Sequence, residues 1–236
     1  MKRIVVVGDS HTRSFAFRDN IIPVFLGPGK EINLDSKNKN QVFKKIKKIK
    51  KMFPIDRYDI YIYMGEPNIR FQLGFGWSPH LEKSQVLSNV NKEYIAVCCD
   101  NYIEYANFLN AKILTPTTGY APSIEGLKYL TKLLKEKAKE HIIDIFSETI
   151  MTNTVKPFLL QKNYLYDPIH LNLNISKVFL DKLSIIDSKI NIDNFKCKDN
   201  LNINSKDLES VFFKNKFGTL SLQKNNFFIK LKNIFR

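Results

Sequence analysis

Ile4 to Val7 is a continuous β-branched run with no alternation, the pattern of a strand buried on both faces, and it stops at Gly8. Ile21 to Leu26, closed by Gly27-Pro28-Gly29, predicts a second strand, and Tyr58 to Met64, closed by Gly65, a third. Between these two, Val42, Phe43, Ile46, Ile49, Met52 and Phe53 recur at helical spacing, with lysines on the opposite face. A long helical pattern covers 81–109 and a short strand Lys112 to Thr115. A periodic helix over 124–141 is carried by Leu127, Leu130, Leu133, Leu134 and Ala138. Ile142 to Phe146 predicts a fifth strand and Ile175 to Ile186 a last helix. Apolar strands alternating with helices predict an α/β domain over residues 1–190, with a five-stranded parallel sheet covered on both faces. Ligands of such sheets sit at the carboxyl ends of the strands, which directs attention to the residues after Val7, Leu26, Met64 and Thr115 and to the loop before the last helix.

Residues 191–236 break the pattern. They are basic and rich in Asn and Lys, yet carry Phe212, Phe213, Phe217, Phe227, Phe228 and Phe235. So many aromatics predict an extension that docks on the core, on a partner or at a membrane surface. The total of 236 residues suits one domain with such an appendage and is too short for two full domains.

Composition changes this picture mainly through charge. With 44% hydrophobic and 25% charged residues the chain is ordinary globular material. Its net charge of +14 suggests a nucleic-acid or anionic-membrane binder. The charge is localised, however: eight lysines and no acid lie in 37–51, nine bases and three acids in 196–236, and the remainder is neutral. Arginine occurs only at 3, 13, 18, 57, 70 and 236, and that scarcity argues against specific nucleic-acid recognition, which favours bidentate guanidinium contacts. Peripheral contact with an anionic membrane surface through 37–51 or 208–236 remains as a partner expectation. Three cysteines, Cys98 and Cys99 adjacent, make no disulfide framework and fit a reducing compartment; the adjacent pair reads as core. No apolar run approaches 18 residues, and only four apolar residues precede Gly8 at the N-terminal end, too few for a signal-peptide core. The expected location is cytoplasmic.

The chemistry concentrates in Gly8-Asp9-Ser10-His11. Ser10 falls at a strand end and the start of the next helix, where free backbone N–H groups and the helix dipole favour developing negative charge. A serine hydroxyl needs a base and an orienting carboxylate to become a nucleophile. Asp167-Pro168-Ile169-His170, just before the last helix, offers both: Asp167 to the imidazole Nδ1, leaving His170 Nε2 for Ser10. Gly27 or Gly29 after the second strand, and Gly65 with Asn68 after the third, fall where oxyanion donors are needed.

A Gly-Asp-Ser block, a glycine after the second strand, a Gly/Asn block after the third and a late Asp-x-x-His resemble the SGNH (GDSL-type) hydrolases. Gly65-Glu66-Pro67-Asn68-Ile69-Arg70 further resembles the Gly-Glu-Ile-Asp-Cys-Arg block of a bacterial subgroup whose first block is Gly-Asp-Ser-His. The resemblance covers about residues 1–187 and implies a three-layer flavodoxin-like fold and a serine esterase or acyltransferase with Ser10, Asp167 and His170 as triad. It also implies an oxyanion hole from Ser10, Gly27 or Gly29 and Asn68, no cofactor, no metal, and an O-acyl, typically acetyl, ester on a carbohydrate as substrate. One position departs. The family places its oxyanion Asn two residues after the third-block glycine, where this chain has Pro67, with neither a side-chain amide nor an N–H; Asn68 is the substitute.

Each residue also has a plainer role. Ser10 could cap its helix, and Asp167 and His170 could form a polar turn. Arg70 could either hold an anionic group of the substrate or pair with Glu66 four residues earlier. Trp77, with Phe71 and Phe75, could stack on a sugar or anchor a loop. Asp9-Ser10-His11 also looks like the opening motif of dinuclear metallophosphoesterases, but the later Gly-Asp-x-x-Asp and Gly-Asn-His blocks are missing. The expectation is therefore a serine esterase. An O-acyltransferase using the same site, and a catalytically inactive carbohydrate- or surface-binding module, stand as alternatives.

Overall fold

Val5, Val6 and Val7 have no solvent exposure, so the strand they form needs neighbours on both edges and cover on both faces. Strand β1 (Arg3–Gly8) has both. It pairs in parallel with β2 (Ile21–Phe25) on one edge and with β3 (Tyr58–Tyr63) on the other. The computed structural model describes residues 2–16, 18, 20–27, 34, 39–72, 92–118, 123–149, 173–185, 212–214 and 219–222. Within these, β4 (Lys112–Leu114) and β5 (Ile142–Ile143) extend the sheet in parallel beyond β3. The first five strands thus lie in the order 5-4-3-1-2.

The sheet does not end there. The expected five strands become seven: β7 (Leu220–Leu222) adds in parallel to β2, and β6 (Phe212–Lys214) lies antiparallel beside β7 as the outermost strand. Both come from the segment read as an extension, which therefore contributes to the central sheet. Pro23 in β2 has no N–H to give, and the pairing with β7 begins one residue later, at Val24.

Alternation along the strands divides the core. Val5, Val7, Ile22, Val24, Ile60 and Ile62 face α1 (Lys39–Met52), α3 (Lys92–Leu109) and α4 (Ile124–Ala138), which bury Val42, Ile46, Ile49, Ile95, Cys98, Leu127, Leu130 and Leu134 among others. Ile4, Val6, Ile21, Tyr61 and Tyr63 face the other way, onto Phe15 and onto Ile175, Phe179 and Leu180 of α6 (Asn174–Lys182). Phe15 meets Tyr63 and Phe179 edge-on, and Tyr61 meets Phe179 in the same manner. The result is an α/β fold of three layers, helix, sheet and helix. Cys98 and Cys99 are both buried, as the pattern predicts, and burial pushes the Cys99 thiol up to about 11. No helix among the described residues is long and apolar enough to cross a membrane.

The expected fifth strand is shortened. The strand predicted over Ile142 to Phe146 keeps only its first two residues, because Asp144 accepts the N–H and the hydroxyl of Ser147 and so starts the short helix α5 (Phe146–Thr149). In the helix predicted over 81–109 the described part is Lys92–Leu109, and 81–91 fall outside the described residues.

Where β3 and β4 end, α3 takes over part of the hydrogen bonding. The Tyr102 hydroxyl lies 2.9 Å from the carbonyls of Ile62 and Leu114 and accepts the Met64 N–H at 3.0 Å. One buried phenol therefore clamps both strands at their carboxyl ends. Tyr102→Phe keeps the ring but strands these backbone groups, and urea unfolding should show a loss of about 1–3 kcal/mol.

Candidate active site

The connection from β2 to β3 crosses over β1, so the strand order reverses between β1 and β3, the point beyond whose carboxyl ends such sheets bind their ligands. Gly8 closes β1 at this point because no side chain fits: a Cβ there would lie 1.7 Å from the carbonyl oxygen of Tyr63. The chain then turns directly into a 3-10 helix (Ser10–Phe15). Asp9 is its N-cap, with Oδ1 accepting the His11 N–H at 2.9 Å. Its Oδ2 accepts the N–H of Gly65 at 3.3 Å, which ties the end of β3 to the start of this helix. Gly65 has φ +118°, a turn that favours glycine, and leads into α2 (Glu66–Gln72).

At this switch point lies a cluster of four ionisable side chains, Asp9, His11, Glu66 and Arg70, all buried. Glu66, 1% exposed, is its hub. His11 Nε2 lies 3.3 Å from Glu66 Oε2, and Arg70 Nε donates to Oε1 at 3.1 Å. The Thr118 hydroxyl donates to Oε1 at 3.1 Å, and that of Ser123 approaches the same oxygen at 3.5 Å. Burial opposes the charge of Glu66, but the His11 hydrogen bond and the positive charges of His11 and Arg70 prevail and hold the carboxyl at about 2. For His11, burial alone would lower the pKa; the hydrogen bond to Glu66 and the charges of Asp9 and Glu66 overcome this and raise it. Burial raises the carboxyl of Asp9 despite His11 and its two backbone donors.

Within the 3-10 helix, His11, Thr12, Ser14 and Phe15 are buried, whereas Ser10 and Arg13 are only half-buried. A repeat of three residues per turn puts those two on the same face. Ser10 is thus the hydroxyl presented at the switch point, and none of the described side chains engages it. Gly27, with φ +142°, follows β2, and the Leu26 N–H donates to Gly8 O at 2.8 Å, so the ends of β1 and β2 sit together.

Asn68 and Arg70 both lie on α2 and are buried. The Asn68 amide Nδ2 donates to the Tyr94 hydroxyl of α3 at 3.3 Å. Arg70 holds Glu66 from one turn away, the ion pair expected of a helical turn here. Ser10, Gly27, and Asn68 with Arg70 thus follow the carboxyl ends of β1, β2 and β3, respectively. Gly29, Trp77, Asp167 and His170 fall outside the described residues. Among the described residues, no group of three or more His, Cys, Asp or Glu side chains is arranged to hold a metal ion. The pairing of His11 with Glu66 has no local signal in the sequence, because 55 positions separate them. The available cue is that both polar residues follow strands read as fully buried.

No family model matches the chain, and no curated protein matches it significantly.

The cluster makes stability depend on pH. His11 binds its proton more tightly folded than unfolded, so its contribution is complete below about pH 6.5 and is lost as pH rises through the raised folded value. Glu66 acts in the opposite sense: its contribution is present above about 4.5 and is lost as pH falls toward 2. Unfolding free energies from urea titrations, measured upward from pH 6.5, should fall by up to about 1.4 kcal/mol per pH unit for the His11 proton, and His11→Gln should flatten this decline. Glu66→Gln should cost about 3–5 kcal/mol at pH 7, since it leaves buried cations uncompensated.

Proposed function

We propose that the chain is a serine hydrolase of the SGNH type, built on a flavodoxin-like sheet and acting on an O-acyl ester. The observation that carries this reading is the position of Ser10. It is the half-exposed first residue of a helical turn after the central strand, at the point where the strand order reverses, with Gly27 and the Gly65–Arg70 block on the same edge. The 2-1-3-4-5 order of the first five strands, with helices on both faces, supports the flavodoxin-like assignment.

In this mechanism Ser10 Oγ attacks the acyl carbonyl while His170, oriented by Asp167, takes the hydroxyl proton. The Ser10 N–H and Gly27 or Gly29 donate to the oxyanion, and Asn68 joins them by releasing its hydrogen bond to Tyr94. His170 then returns the proton to the leaving alcohol, and water attacks the acyl-enzyme with the same base. The substrate class, an acetylated carbohydrate, rests on the resemblance of the motif blocks, and Trp77 is the residue to stack on the sugar.

A second reading, a binding module that keeps the fold without turnover, is favoured by one observation: Asn68, already displaced by Pro67 from the family's position, is buried and donates to Tyr94. The two readings differ in covalent chemistry. The hydrolase should be labelled stably at Ser10 by a fluorophosphonate and should cleave a small chromogenic acetyl ester. Ser10→Ala should lower that cleavage at least about a thousandfold. Unchanged cleavage in the Ser10→Ala protein refutes the assignment, and a folded wild type that is neither labelled nor active establishes the module.

A further inference from the structure

The solvent face of α1 carries Lys44, Lys47, Lys48 and Lys51, all exposed, at positions i, i+3, i+4 and i+7. This spacing puts them in one stripe along a single side of the helix. Other lysines of α1 are engaged: Lys39 with Glu104, Lys45 with the Leu26 carbonyl and Lys50 with the Phe108 carbonyl. Among the described residues the four of the stripe have no acidic partner. Helix α4 differs in this respect. Its Lys128, Lys132, Lys135 and Lys137 face Glu125, Glu136, Asp144 and Asp100, respectively. The fold thus neutralises one lysine-rich helix and leaves the other as a row of uncompensated charge.

We propose that this face of α1 docks the protein on an anionic phospholipid surface. Three observations select that occupant. The charges are all lysine, hydrated point charges suited to a diffuse layer of phosphate and carboxylate, without the guanidinium forks that read nucleic acid. No aromatic side chain joins the stripe to stack on bases, because Phe43 of the same helix turns inward against Tyr105 and Phe108. In the turn just after α1, Ile55 is a large apolar side chain at 45% exposure, four residues beyond Lys51, where it can enter a headgroup layer. A specific protein partner would instead require an apolar centre ringed by polar groups, and this stripe has only charge along its length. The inference does not depend on Ser10 being a nucleophile.

The test is sedimentation of the full chain with vesicles of phosphatidylcholine alone, or containing about 30 mol% phosphatidylserine. Binding should appear only with the anionic vesicles and weaken as salt rises. Replacing Lys44, Lys47, Lys48 and Lys51 together by Gln should lower partitioning on the order of a hundredfold or more while the thermal melt stays unchanged. Lys128→Gln with Lys132→Gln should leave partitioning as it was. The proposal is overturned by equal binding to both vesicle types, by no binding, or by full binding of the fourfold variant. It is equally overturned if duplex DNA binds more tightly than the vesicles and loses that affinity in the same variant.

Discussion

A carboxylate at 1% exposure survives only where opposite charge and hydrogen-bond donors replace the water it has lost, and Glu66 is placed to receive both. His11 reaches it from the helix after β1, Arg70 from the next turn of α2, and Thr118 and Ser123 from the segment joining β4 to α4. Three strand ends are thus tied to one side chain. Buried ion pairs return little net stability, because desolvation offsets most of their attraction. Their consequence here is positional: none of the three segments can shift without exposing or orphaning a charge.

Ser10 benefits from this without taking part. Its two neighbours are the fixed residues: Asp9 receives the N–H groups of His11 and Gly65, and the His11 imidazole meets Glu66. Gly8 adds a steric constraint, since the β3 backbone passes where a Cβ would stand. The backbone of Ser10 is therefore held from both sides while its own hydroxyl takes no part in the anchoring. That division of labour suits a reacting group, whose side chain must be positioned by something other than its own hydrogen bonds. It would equally suit a serine that binds a ligand oxygen, and so the functional reading turns on covalent chemistry at this position.

The strands around this centre were legible because β1, β2 and β3 are apolar runs closed by glycine, and α1 and α4 because their apolar positions follow helical spacing. β6 and β7 were not: three residues each carry too little periodicity to read, and β7 is defined by an open edge on β2 that no local pattern announces. Only the density of phenylalanine indicated that the segment packs. The truncation of β5 depended on one side chain, Asp144, and so fell below the resolution of a hydrophobic pattern. In the site, Ser10 and the Glu66–Arg70 pair were readable from strand ends and an i,i+4 spacing. The role of His11 was not, because its partner Glu66 lies 55 positions away in the sequence.

The charge distribution separates where the molecule sits from what the site does. At the switch point Asp9 and Glu66 stand against His11 and Arg70, so the cluster has no net charge when all four are ionised. Helix α1 runs from the carboxyl edge of the sheet, where Lys45 meets the end of β2, back to the amino edge, where Lys2 meets the Ile55 carbonyl. At 1.5 Å per residue, Lys51 lies about 18 Å along the helix from Lys39. Of the net charge of +14 that first suggests the chemistry of the site, seven lysines lie on α1, where Lys44, Lys47, Lys48 and Lys51 face solvent and none pairs with the buried cluster. The shifts of Asp9, His11 and Glu66 arise from burial, from one another, from Arg70 and from neighbouring backbone N–H groups, so the protonation of the cluster is set within the cluster.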